Sequence, residues 1–248
     1  MREKTDASKL KDGRGILSGT TYEAWKTARE AKSIGTAYAV YDPIQKRTVN
    51  LLSAGEKKVF WVVRFLAPGR ILEQFPMDTR TVALVCNELG VRNYCHILST
   101  DLVVEKENGV VAISVKPNAS SFDPKRKYGQ KNITRAKVEA QYWEHYGVPH
   151  RVVYADEIPI NLAMNIRDVM FYWDETFVCD RISELMHMIA HKAIQIPMDR
   201  WRIQFKTIAE KIDVEGLYET YKGLKSDPDF CGWRIDISRG YTLSHSQS

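Results

Sequence analysis

In the stretch Ser99-Thr100-Asp101-Leu102-Val103-Val104-Glu105-Lys106-Glu107-Asn108-Gly109-Val110-Val111-Ala112-Ile113-Ser114-Val115-Lys116, two apolar runs flank a polar break. Asn-Gly between two such runs is the strongest short-range signal for a β-hairpin, because tight turns need positive φ at their centre. With Asn108 and Gly109 as the two turn residues, Glu107 faces Val110, Val103 faces Ser114 and Asp101 faces Lys116. Residues two apart in a strand share a face, and so do directly opposed ones. Asp101, Ser114 and Lys116 therefore lie on one face, with Asp101 and Lys116 as neighbours. Leu102, Val104, Ile113 and Val115 occupy the other face and suit a core.

Around the hairpin the pattern alternates. Upstream, Ser53 stands three residues before Glu56. That is a capping box, and it predicts a helix from Ala54 to Leu66 that stops before Pro68-Gly69. Ile71 to Phe75 is expected as a strand, and Thr79 to Leu89 as a helix ended by Gly90. Downstream come a helix from Thr134 to Tyr146 ended by Gly147, a strand from Arg151 to Tyr154 and a helix from Ile160 to Tyr172. This order predicts an α/β core with a mixed sheet. Residues 1–50 are polar and turn-rich. They read as an arm leading into a short strand pair, about Ala37 to Tyr41 and Thr48 to Leu52.

The last segment has another rhythm. Helices are expected over Cys179 to Ala193, Asp199 to Lys211 and Val214 to Gly223, then short strands over Phe230 to Ile237 and Tyr241 to Leu243. Three helices and a hairpin is the order of a winged-helix domain. The expected division is residues 1–172 and residues 173–248.

Composition sets the class. Of 248 residues, 44% are hydrophobic and 27% charged, so the chain can bury a core. The longest apolar runs, Val59 to Val63 and Val110 to Val115, are too short to span a bilayer, and no apolar stretch follows the charged start, so neither a membrane nor a secretory route is expected. None of the four cysteines forms a Cys-x-x-Cys pair, which removes the usual zinc spacing and suits a reduced, cytoplasmic setting. The net charge of +5 permits a nucleic-acid partner without establishing one. Its distribution says more. Lys125, Arg126, Lys127, Lys131, Arg135 and Lys137 follow the hairpin directly, as a solvated face or as a phosphate-binding stretch.

A carboxylate and a lysine side by side in a central hairpin can be a plain cross-strand ion pair. They can also be the centre of a magnesium-dependent nuclease. There Asp101 holds the metal, while Lys116 orients or deprotonates the attacking water and stabilises charge on the phosphate. A second carboxylate from a preceding helix completes such a site, and Glu56 is placed for it, with its capping role as the competing explanation. His187 and His191, at i and i+4, have helical metal spacing but no third ligand nearby. Trp143, Trp173 and Trp201 are expected in a core or at a domain interface. Asp123 is read as a loop cap or a metal contact.

Leu51-Leu52-Ser53 before Glu56, Glu73-Gln74-Phe75-Pro76, Ser99-Thr100-Asp101, Val115-Lys116-Pro117 and Tyr142-Trp143 together resemble the TnsA family, the endonuclease subunits of heteromeric cut-and-paste transposases. The likeness covers about residues 10–170 well and the tail loosely. It implies a restriction-endonuclease-like nuclease domain, with Glu56, Asp101 and Lys116 as the catalytic residues. It implies metal binding by Glu56, Asp101 and the Val115 carbonyl, with magnesium as the cofactor and manganese as a substitute. It also implies double-stranded transposon ends as substrate, cleavage of their 5′ strands, a TnsB-like DDE transposase and a TnsC-like AAA+ ATPase as partners, and a bacterial, nucleoid-associated site of action.

Ser114 departs from the broader fold, where Gln, Glu or Asp usually stands two residues before the lysine. Serine is a poor ligand beside a carboxylate, so its expected contact with the metal runs through water. The departure also motivates a second reading, an inactive nuclease fold that serves as a DNA-binding and partner-docking adaptor. In the tail, Asp213, Glu215 and Glu219 lie where a recognition helix would meet phosphates. The tail is therefore expected to dock a protein, the ATPase regulator if the resemblance holds.

Overall fold

A computed structural model describes residues 4–16, 21–31, 36–106, 109–225, 234–236 and 242–244. The central hairpin forms, in a register two residues from the expected one. Strands β4 (Ser99–Lys106) and β5 (Gly109–Lys116) pair antiparallel, with Lys106 opposite Gly109 and Leu102 opposite Ile113. Gly109 is a strand residue at φ 125°, a region that glycine enters freely. Glu107 and Asn108, where part of the expected turn falls, lie outside the described residues. A shift of two keeps every side chain on its face. Asp101, Ser114 and Lys116 thus still share one, but the expected pairing of Asp101 with Lys116 is corrected: continuing the register brings Ser114, not Lys116, opposite Asp101.

β3 (Ile71–Pro76) joins β4 antiparallel, and β6 (His150–Tyr154) joins β5 parallel, giving a mixed sheet in the order β3-β4-β5-β6. Both faces are buried. Leu72, Val103 and Ala112 pack with Val82, Val85 and Cys86 of helix α1 (Thr79–Glu88) and with Val138, Tyr142 and Trp143 of α2 (Gly129–His145). The Trp143 indole donates to Thr100 Oγ1 at 2.9 Å, so this tryptophan is core. On the other face Ile71, Leu102, Val104 and Ile113 are buried, and helix α3 (Ala54–Leu66) lies over β5. A Cβ on Gly55 would stand 2.9 Å from that of Ala155, so the first turn of α3 needs glycine to come this close. The arrangement is compatible with a nuclease-like core.

The N-terminal residues are not a free arm. Tyr22, Ala24 and Trp25 are buried, and the Tyr22 hydroxyl donates to the Glu73 carbonyl at 2.8 Å. The polar composition hid this, because its charges are paired inside: Arg14 with Glu30 at 2.5 Å, and Lys9 over the Trp25 ring at 5.3 Å. The hairpin of β1 (Tyr38–Asp42) and β2 (Arg47–Leu51) is fixed by two buried pairs. Asp42 accepts from Arg64 of α3 at 2.6 Å, and Arg47 grips both oxygens of Glu73 at 3.0 and 2.7 Å.

The chain divides into two compact units, Met1–Ile158 and Pro159–Ser248. Helix α4 (Ile160–Met170), expected in the first domain, therefore belongs with the second. Its Asn165 side chain donates to the carbonyls of Met198 and Trp201 at 2.8 and 2.7 Å and accepts from Ile203 N–H at 3.1 Å, while Asp168 pairs with Arg202 at 2.5 Å. Those bonds hold Met198–Ile203 out of helix. The helix expected from Asp199 to Lys211 is accordingly confined to α6, Phe205–Ala209. Around it stand α5 (Arg181–Ala190), α7 (Val214–Lys225) and a three-stranded sheet of β7 (Ile194–Gln195), β8 (Arg234–Asp236) and β9 (Thr242–Ser244). His187 and His191 are structural: each bonds a backbone carbonyl, Tyr172 at 2.7 Å and Trp173 at 2.9 Å. No helix among the described residues is long and apolar enough to cross a membrane.

Candidate active site

The antiparallel ladder between β4 and β5 ends at Leu102 and Ile113, and the strands then part around a side chain. The Val115 N–H donates to the Asp101 carboxylate at 2.7 Å instead of to a strand carbonyl. Asp101 is thereby fixed beside the backbone of the residue whose carbonyl is expected to face the metal. Its pKa is raised, first by burial, although the Lys116 charge and the Val115 N–H pull it down.

Glu56 reaches the same place from the first turn of α3. Ser53 Oγ accepts from Glu56 N–H at 3.0 Å, which caps the helix. The Glu56 carboxylate does not return to the Ser53 N–H. It reaches one residue further, accepting from Leu52 N–H at 2.8 Å and from the Ser53 hydroxyl at 3.1 Å. This reach presents a carboxylate oxygen to Gln74. The helix cap and the contact with Gln74 therefore coexist. Gln74 Nε2 lies 3.2 Å from Glu56 Oε2 and 3.4 Å from Asp101 Oδ1, so one buried amide touches both acids. Burial and then the Asp101 charge push the Glu56 carboxyl up to about 8. Two acids held this closely in a dry site favour a proton or a cation between them.

Ser114 points toward α2. Its hydroxyl donates to Glu139 of α2 in a very short bond and lies 2.9 Å from His150 Nε2. Burial alone would raise Glu139, yet His150, the Arg135 charge and the Ser114 hydroxyl together hold it at about 2. Arg135 is likewise not a surface residue reaching for phosphate. It donates to Glu139 at 2.6 Å and to the Ser99 carbonyl at 2.7 Å, with 23% of its side chain exposed. The Arg135–Glu139 pair and the Gln74 bridge were not found from the sequence. The only signals were an i,i+4 pair of opposite charge on a helix and the Gln within a motif already singled out.

Lys125, Arg126, Lys127, Lys131 and Lys137 are exposed, as a phosphate-binding surface requires. Asp123 is a loop cap, accepting from Lys125 N–H at 2.9 Å. Gly129, which starts α2, sits so close to the Asp123 carbonyl that a Cβ would fall 1.7 Å from it.

The donor set suits a hard cation. Glu56 and Asp101 supply carboxylate oxygens, and no described cluster of three or more His, Cys, Asp or Glu residues forms a closed cage. Two carboxylates match the way magnesium binds, through few protein ligands and with its other positions left to waters and phosphate oxygens.

No protein-family model matches the chain. It is similar to a protein of Escherichia coli, the Transposon Tn7 transposition protein TnsA, at 28% identity over an alignment of 198 positions that covers 75% of this chain and 70% of that one.

Proposed function

We propose that this TnsA-like chain is a magnesium-dependent DNA endonuclease that cuts the 5′ strands at transposon ends, beside a TnsB-like DDE transposase and under a TnsC-like AAA+ ATPase. The observation that carries the reading is the convergence of Glu56 and Asp101 on one buried amide, with Lys116 on the same sheet face as Asp101. Glu56, Asp101 and the Val115 carbonyl would hold magnesium or manganese, which supplies Lewis-acid charge at the scissile phosphate when bound. The Lys116 ammonium orients the attacking water and offsets charge that develops on the phosphate. Its charge already lowers both Asp101 and Glu139. Lys125, Arg126, Lys127, Lys131 and Lys137 follow the DNA backbone. Arg135 instead anchors the sheet side of α2. The second unit docks the ATPase, with Asp213, Glu215 and Glu219 making it a poor phosphate binder.

Ser114 is the residue that favours an inactive adaptor, and its bond to Glu139 gives it a different explanation. The test is a reconstituted excision assay with transposon-end DNA and magnesium, the two partners present or withheld. Asp101→Ala, Glu56→Ala and Lys116→Ala are each expected to lower 5′-strand cleavage by two orders of magnitude or more, about 3 kcal/mol. Full cleavage by Asp101→Ala, with an unchanged melting profile, sinks the assignment.

A further inference from the structure

Gln74 breaks the rules of the strand that carries it. β3 pairs with β4 through Glu73–Leu102 and Phe75–Thr100, and the ladder skips Gln74 and Asp101 between them. Gln74 has φ 49°, in the left-handed region. The other described non-glycine residues with positive φ, Lys46 and Lys192, sit in turns, while Gln74 lies inside a strand. Such backbone persists only where its surroundings over-determine it, and it concentrates at functional sites. The surroundings here are specific. The side chain is buried, its Oε1 accepts from the Ser99 hydroxyl at 3.0 Å, and its carbonyl accepts from Trp25 N–H at 3.3 Å. With Oε1 fixed by Ser99, Nε2 is left for the two carboxylates. An amide nitrogen has two hydrogens, one for each acid.

We infer that Gln74 is an internal stand-in for the cation: its amide nitrogen bridges Glu56 and Asp101 through one oxygen each, and a divalent ion binds there by displacing it. The inference rests on reading Glu56 and Asp101 as the cation site. Nε2 already occupies the point within bonding reach of one oxygen of each acid, so it and a bridging cation compete for the same space. The amide satisfies the buried acids before the ion arrives and lowers the affinity of the free protein for metal. Occupancy then depends on additional oxygens, such as those of a bound phosphate.

The test is Mn2+ binding by the full-length protein without DNA, followed by electron paramagnetic resonance and calorimetry. The variants are Gln74→Gly, Gln74→Asn and Asp101→Asn. Glycine relieves the positive φ. Asparagine also tolerates it and keeps an amide, but is one methylene too short to bridge both acids. Both Gln74 variants are expected to bind Mn2+ about tenfold more tightly than the wild type, since a hydrogen bond that must break on binding has been removed. Melting without metal reports the separate backbone effect, and a merely structural Gln74 would change melting while leaving affinity unchanged or weaker. Unchanged or weaker Mn2+ binding by both variants, with wild-type binding that Asp101→Asn abolishes, overturns the stand-in alone. No Mn2+ binding by the wild type or by either Gln74 variant overturns the cation site itself, and the stand-in with it.

Discussion

Glu139 shows how a side chain outside the expected set supports the catalytic strand. It is buried among Arg135, His150 and Ser114, and it ties β5 to α2 two residues before Lys116. Removing one member of such a buried ion pair strands the other charge, at a cost of about 3–5 kcal/mol. Glu139→Ala is therefore expected to lower stability by that order in chemical denaturation. Ser114→Ala removes only one of several donors to Glu139, and a hydrogen bond to a charged group is worth about 1.5–3 kcal/mol. It should cost less stability than Glu139→Ala and retain far more cleavage than Asp101→Ala. If Ser114→Ala proves as inactive as Asp101→Ala at unchanged stability, the hydroxyl acts in catalysis and its structural role here is wrong. Asp101 and Lys116 were legible because strand alternation keeps them on one face through a register shift of two. Glu139 was not, because Ser114 and His150 meet it from two different strands and only Arg135 stands at helical spacing from it. Gln74 was hidden for another reason: a left-handed φ at a glutamine leaves no mark in the sequence.

At the scale of elements, the sequence was most readable where local chemistry decides. Helix α3 begins and ends where its Ser53 cap and the following Pro68-Gly69 require, and the Glu56 carboxylate enters the site because that cap fixes the first turn. Helix α2 starts at Gly129 rather than Thr134, because the close approach of Gly129 to Asp123 sets its first turn and polarity alone does not reveal this. Lys131 and Lys137 consequently ride on a helix, while Lys125, Arg126 and Lys127 precede it in the loop. Each phosphate contact on duplex DNA contributes about 0.9 to the log–log salt slope of binding. Neutralising Lys125, Arg126 and Lys127 together should reduce that slope by about 2.7 if all three touch phosphate, with sequence preference unchanged. The measurement is a binding titration across salt concentrations. A slope equal to that of the wild type means that the loop is solvated and makes no DNA contact.

For the whole molecule, the position of the division changes how the two units can be separated. The change in the rhythm of expected elements suggested a boundary near residue 173, but α4 is tied to the chain beyond it by Asn165 and Asp168. Ala163, Ile166, Val169 and Met170 of that helix are buried. These contacts join residues more than 30 positions apart, which is why local pattern placed α4 on the wrong side. A chain ending at Asp174 would keep α4 and lose the segment that satisfies Asn165. Exposing side chains such as Ile166, Val169 and Met170 costs about 1.5–3 kcal/mol each where burial was complete. That fragment is expected to aggregate. A chain ending at Ile158 keeps the mixed sheet, Glu56, Gln74, Asp101 and Lys116 within one compact unit. It should melt in one cooperative transition, retain Asp101-dependent Mn2+ binding and fail to pull down the ATPase. Light scattering, thermal melting and the pull-down separate the outcomes. An Ile158 fragment that aggregates while the Asp174 fragment stays monomeric would place the boundary back near residue 173, and an Ile158 fragment that still captures the ATPase would move partner docking out of the second unit.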